Sequence, residues 1–174
     1  MSKLTQTKLK KELALRDADE LIEEILHLYE LFPPVREYFQ IQCTSDETDV
    51  LARYKAIIKK EFFPDRGEPK TRLHIARQAI LDFRKISQNQ LNIADIMLYY
   101  VEIGAKFTAE YGDCWDAFYD SLETMYNQAC KYIVQYDLLD MFARRARAIV
   151  DDTRDCGWGF HDVLGDTYYQ YWKT

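Results

Sequence analysis

Apolar residues recur at three- and four-residue steps along nearly the whole chain, the spacing of helices with one face turned inward. A short helix is predicted over 5–14. Asp17 followed by Glu20 has the form of a capping box, opening a helix that runs to Phe32 with Leu21, Ile22, Ile25, Leu28, Tyr29 and Phe32 inward. Pro33 and Pro34 end it, and Pro34 suits the start of a short helix over 35–42. Thr44 with Glu47 repeats the capping pattern before Val50, Leu51, Tyr54, Ile57, Ile58 and Phe62, a stripe that Pro64 stops. Pro69 is placed to open a helix over 70–86, striped by Leu73, Ala76, Ile80 and Phe83. The polar run 87–90 separates it from a helix over 90–110, which Gly112 closes. Asp113 then caps the cleanest stripe in the chain: Trp115, Phe118, Tyr119, Leu122, Met125, Tyr126, Ala129 and Ile133. Asp137 starts another helix, with Leu139, Phe142, Ala146, Ile149 and Val150 inward. After a glycine-containing break, an aromatic-rich helix over 160–172 follows.

No segment alternates with the period of a strand. The expected fold is therefore all-α: a compact bundle of about eight or nine helices, arranged as successive helical hairpins in a single domain over 1–174. The 104–126 stretch has the small/aromatic rhythm of one tetratricopeptide-like helix pair, but the rhythm does not return at a fixed period, which argues against a repeat array. Composition agrees. Six Gly and four Pro among 174 residues leave little turn chemistry for a many-stranded sheet. A chain of this length buries about 70% of its unfolded surface and needs neither metal nor disulfide to fold.

The formal charge of −6 gives the chain no general attraction to nucleic acid or to anionic membranes, so neither is expected as a partner. The charge is unevenly spread: 53–77 carries eight Lys/Arg against three acids, and 110–174 carries six against twelve. The plainer account is that both regions face water or one another. Cys43, Cys114, Cys130 and Cys156 show no Cys-x-x-Cys spacing, and a reduced, cytoplasmic protein is the simplest expectation. The stretch 1–12 has charge without an apolar segment, so no signal peptide is expected. The longest apolar run, 96–101, is far shorter than a membrane span.

Candidate chemistry is sparse. In the "FFPDRGEPK" stretch, 62–70, Gly67 suits a tight reversal, while Arg66 and Lys70 are expected beside the N-terminus of the 70–86 helix. Lys70, His74, Arg77 and Arg84 would follow on one side of that helix. Together they form a candidate site for a phosphate or carboxylate, against the plainer reading of a solvated basic face. In "CGWGFHD", 156–162, Trp158 is read as a core anchor. His161 and Asp162 are weak catalytic candidates, His161 as an acid/base and Cys156 as a nucleophile. Glu24-x-x-His27 matches half of a di-iron pattern, yet neither His74 nor His161 supplies the second copy. No metal site and no cofactor is expected. The "YYQYW" run, 168–172, suits an interface with a protein partner or a second copy, although covering the core is the commoner use.

The stretches Lys-Glu-Phe-Phe-Pro-x-Arg-Gly (60–67), Ala-Asp-x-Met-Leu-Tyr-Tyr-Val-Glu (94–102), Thr-x-x-Tyr-Gly-Asp (108–113) and Gly-Trp-Gly-Phe-His-Asp (157–162) resemble those of a family of bacterial proteins without an assigned function. The resemblance spans nearly the whole chain. It implies a small cytosolic bacterial protein and transfers no catalytic residue. The residues favour a non-enzymatic helical module acting through protein contacts or a small anionic ligand. The competing expectation is an enzyme on a phosphorylated or carboxylated substrate, with Arg66, Lys70 and Arg77 holding the anion and His161 as acid/base.

Overall fold

Asp17 and Glu20 cap one another as their spacing dictates: the Asp17 carboxylate accepts from the Glu20 N–H at 2.9 Å, and Glu20 accepts from the Asp17 N–H at 3.0 Å. The helix they open is the second of nine among the described residues, which contain no strand. The computed structural model describes residues 3–157 and 159–172. The chain divides into two units, Met1–Asp46 and Glu47–Thr174.

The first unit holds α1 (Gln6–Leu13), α2 (Ala18–Leu31) and α3 (Pro33–Thr44). Thr5 caps α1, and Phe32 both ends α2 and precedes the prolines that open α3. Helices α2 and α3 pack together, but α2 has no buried residue. The stripe expected to face inward over 21–32 is thus a correction: Ile22, Ile25, Leu28, Tyr29 and Phe32 remain exposed. A hairpin of two amphipathic helices offers each only one neighbour, too little to cover so wide an apolar face.

The second unit holds α4 (Thr48–Phe62), α5 (Leu73–Ile86), α6 (Gln90–Tyr111), α7 (Asp116–Gln135), α8 (Leu139–Asp151) and α9 (Phe160–Tyr171). Helices α4 and α5, α6 and α7, and α8 and α9 pack as successive hairpins, as the pattern predicts. The centre is α6, where 12 of 22 residues are buried. It also packs on α4, α5 and α8. An aromatic knot fills the interior: the Phe62 ring lies 5.8 Å from Tyr100, 5.9 Å from Phe107 and 6.1 Å from Phe118. Edge-on contacts of this kind add to the area burial of rings that are already dry. Trp115, expected in the α7 stripe, is instead half-exposed, because α7 begins one residue after it.

Several helix starts differ from expectation, and at Glu47 and Asp113 the polar side chain has found a partner distant in the chain. Thr44 and Glu47 form no capping box: α3 runs on through Thr44, whose hydroxyl donates to the Gln40 carbonyl at 2.7 Å. Glu47 is buried, and its carboxylate accepts from Ser87 Oγ at 2.6 Å, the Gln88 N–H at 3.2 Å and Asn92 Nδ2 at 2.9 Å. It ties the start of α4 to the α5–α6 link. Asp113 does not cap α7, and Asp137, at a positive φ of 56°, precedes α8 without capping it. Helix α5 starts at Leu73 rather than near Pro69.

Candidate functional site

Glu61 holds the chain just before the late start of α5. Its carbonyl accepts from the Thr71 N–H at 2.8 Å, and its carboxylate accepts from Arg72 Nε at 2.9 Å and Nη2 at 2.8 Å. This fork, with Thr71 at φ 44° and Gly67 at φ 79°, closes the 63–72 elbow before a helix can begin. The Arg72 guanidinium, aided by Lys70, holds the Glu61 carboxyl below its ordinary range. Arg66 and Lys70 lie in a cavity of about 490 Å³ on this elbow, with Lys60, Glu61, Asp65, Glu68 and Arg72 around them. Four bases there face three acids, and no described residue of 157–162 lines the cavity. Lys70 is not on α5, so it does not continue the row of His74 and Arg77.

His74 and Arg77 project elsewhere. Helix α5 buries Ala76, Ala79, Ile80 and Phe83, which turns His74, Arg77, Leu81 and Arg84 to the surface. Helices α5 and α7 both pack against α6, and a groove runs between them. One cavity of about 370 Å³ is lined by His74, Arg77, Gln78, Leu81 and Arg84 of α5 with Met125 and Gln128 of α7. A second, of about 490 Å³, shares His74 and Arg77 and adds Arg72, Trp115, Asp120, Ser121 and Thr124. The first has no acid among the described residues of its wall. Neither Arg77 nor Arg84 has an ion-pair partner among the described residues, and the Arg84 guanidinium rests 5.4 Å from the Tyr132 ring. Under the groove, Tyr100 and Ser121 share a 2.7 Å hydrogen bond; burial pushes the Tyr100 phenol up, while Arg77 pulls it the other way.

His161 stands at the start of α9 with its Nδ1 at 2.9 Å from the Val150 carbonyl and 3.2 Å from Thr153 Oγ1. An Nδ1–H donated to that carbonyl satisfies an acceptor in the last turn of α8, and leaves Nε2 as the ring's basic nitrogen. Asp162 is exposed in the first turn of α9, where a carboxylate complements the helix dipole. The Cys156 thiol is raised by burial and by Asp113, which lowers its reactivity at neutral pH. Trp158, read as a core anchor, lies outside the described residues. The neighbouring glycine is explained by close approach: the Gly157 N–H donates to Asp113 Oδ1 at 3.2 Å, and a Cβ there would meet Asp113 Oδ2 at 2.8 Å. Asp113 also accepts from Tyr119 at 3.2 Å, and Tyr119 shares a 2.8 Å bond with Thr108. The 108–113 and 157–162 stretches are therefore fastened to each other.

One charged cluster escaped the sequence reading. Arg145 of α8 donates from Nε to Glu102 Oε1 at 2.6 Å and from Nη2 to Glu102 Oε2 at 2.9 Å, and pairs with Asp95 through Nη1. Lys55 of α4 reaches the other Asp95 oxygen at 2.5 Å. Asp95 and Glu102 stand seven residues apart on the most apolar helix of the chain, a position that demands partners and was the available signal. The terminal aromatics divide: Tyr171 donates to Asn127 at 2.8 Å and Trp172 to the Leu139 carbonyl at 3.1 Å, whereas Tyr169 is exposed.

The hairpins stacked around α6 make this an all-helical protein, and no helix among the described residues is long and apolar enough to cross a membrane. The chain belongs to the family of unknown function DUF6155, whose sequence profile matches residues 1–169. No curated protein and no solved structure matches it.

Proposed function

We propose that the protein binds an anionic group, a phosphate or a carboxylate, in the groove between α5 and α7. The observation that carries this reading is the convergence of His74, Arg77 and Arg84 on a cavity wall without a carboxylate, where neither arginine is neutralised among the described residues. By contrast, Arg72 forks onto Glu61, and Arg145 onto Asp95 and Glu102. A guanidinium held on a rigid helix and left without an internal acid keeps its bidentate geometry for a ligand. The volume of about 370 Å³ lies within the range of small-molecule sites. Gln78 and Gln128 add neutral hydrogen-bonding groups that would set orientation. The reading is of binding without a chemical step, and it moves the anion site from the 64–70 elbow to the next helix.

Titration of the full chain with inorganic phosphate and with a small dicarboxylate, followed by amide chemical shifts, tests it. Saturable shifts centred on α5 and α7 are expected, and Arg77→Ala is expected to weaken binding about 10- to 100-fold, the loss of a charged hydrogen bond. Shifts that do not saturate, or that survive Arg77→Ala with Arg84→Ala, would overturn the assignment.

A further inference from the structure

We propose that two copies of this chain associate through the first unit, with the α2 helices paired antiparallel about a two-fold axis. This goes beyond the groove reading and rests on different residues. Ile22, Ile25, Leu26, Leu28, Tyr29 and Phe32 fall within an arc about 160° wide on a helix turning 3.6 residues per turn. All six are at least one-third exposed, and Ile22, Leu26 and Phe32 are 54, 56 and 48% exposed. An arc that broad, at the steps of three and four that pair helices, is the pattern of a covered face.

Length and charge name the occupant. Helix α1, with 8 residues, spans only ~12 Å, whereas the 14 residues of α2 span ~21 Å, so the chain's own first helix is too short to cover the face. A second α2 matches it in length. Acids crowd the first half of α2, at Asp19, Glu20, Glu23 and Glu24, and its second half holds Glu30 alone. Parallel pairing would stack the two acidic halves. Antiparallel pairing sets each acidic half beside the other copy's sparsely charged half and opposes the helix dipoles favourably. The contact is self-complementary, as a two-fold interface must be.

Sedimentation of the full chain at micromolar concentrations is expected to give twice the chain mass of 20.7 kDa. Ile25→Glu, at an exposed position that folding does not require to be apolar, is expected to weaken association by more than about 100-fold because symmetry places the charge twice in the contact. Far-UV circular dichroism should be unchanged. Ile25 lies at the midpoint of α2 and meets its own copy in an antiparallel pair. Ile25→Cys in a Cys43→Ser background should therefore form an intermolecular disulfide under mild oxidation, while Ala18→Cys should not. A single-chain mass overturns the proposal, whether the α2 amides exchange freely or are protected within one chain. A double mass that persists in Ile25→Glu overturns it as well, since the contact then lies elsewhere.

Discussion

Replacing Glu61 by Gln keeps the size of a side chain that is 5% exposed and removes its charge. In the native protein its carboxylate takes two charge-assisted bonds from the Arg72 fork and one from the Arg72 N–H at 3.3 Å. Each charged bond contributes about 1.5–3 kcal/mol in a dry setting, but the Arg72 side chain is 46% exposed, so solvent screening takes back a large part. Glutamine retains one acceptor oxygen and turns an NH₂ toward the guanidinium donors. The net cost is about 2 kcal/mol, which at a urea m-value of about 2 kcal/mol/M lowers the unfolding midpoint by about 1 M near neutral pH. The pH dependence carries the sharper signature. Because the folded Glu61 titrates below its unfolded value, its contribution is fully present above the ordinary glutamate range near about 4.3 and is lost as pH falls through the lowered folded value. The wild-type and Glu61→Gln midpoints should therefore converge as the solution is acidified below about pH 4. An unchanged midpoint at neutral pH, or a gap that stays constant into acid, would refute the view that this fork fastens the 63–72 elbow and delays α5.

Arg145→Ala strands Glu102 and leaves Asp95 with Lys55 alone, both carboxylate side chains being 22% exposed, and should cost about 3 kcal/mol and about 6–12 °C in calorimetric melting temperature. Arg145→Lys should recover only part of that loss, since one ammonium cannot fork across two carboxylates. Gly104→Ala in α6 would put a Cβ at 2.4 Å from Leu122 Cδ2, and Leu122 is fully buried. The overpacking cost of about 1–3 kcal/mol outweighs or cancels the ~1 kcal/mol gain in helix propensity, so chemical denaturation should show a neutral to destabilised variant, and a clearly stabilised one would refute the close α6–α7 approach. Burial pushes the Cys130 thiol up to about 12, so brief alkylation of the native chain should label exposed Cys43 and spare Cys130 until denaturant is added, as read by peptide mass.

The helices themselves were legible because their causes are local. The Asp17–Glu20 box, the closing glycine at 112 and the continuous apolar character of 93–108 act within a turn or two of their own position. Arg77 and His74 were likewise legible as exposed basic residues on one helix, since the spacing of Ala76, Ile80 and Phe83 already sets which side faces out. What failed were the capping inferences at polar groups whose partners lie far along the chain. Thr44–Glu47 and Asp113 have the spacing of caps, yet Glu47 went to Ser87 and Asn92, and Asp113 to Gly157, across 40 to 45 residues of chain.

The chain's own order of residues thus determined the all-helical class, the hairpin succession and most helix ends, because backbone hydrogen bonding and side-chain period are short-range properties. Only the tertiary structure decided which cations were already matched. Glu61 claimed Arg72, and Asp95 with Glu102 claimed Arg145, whereas Arg77 and Arg84 form no ion pair among the described residues. It also decided that the stripe of α2 stays uncovered within its unit while an equally regular stripe on α7 is buried. Amphipathic spacing states that a helix has an apolar side; what lies against that side is set by helices distant in the chain.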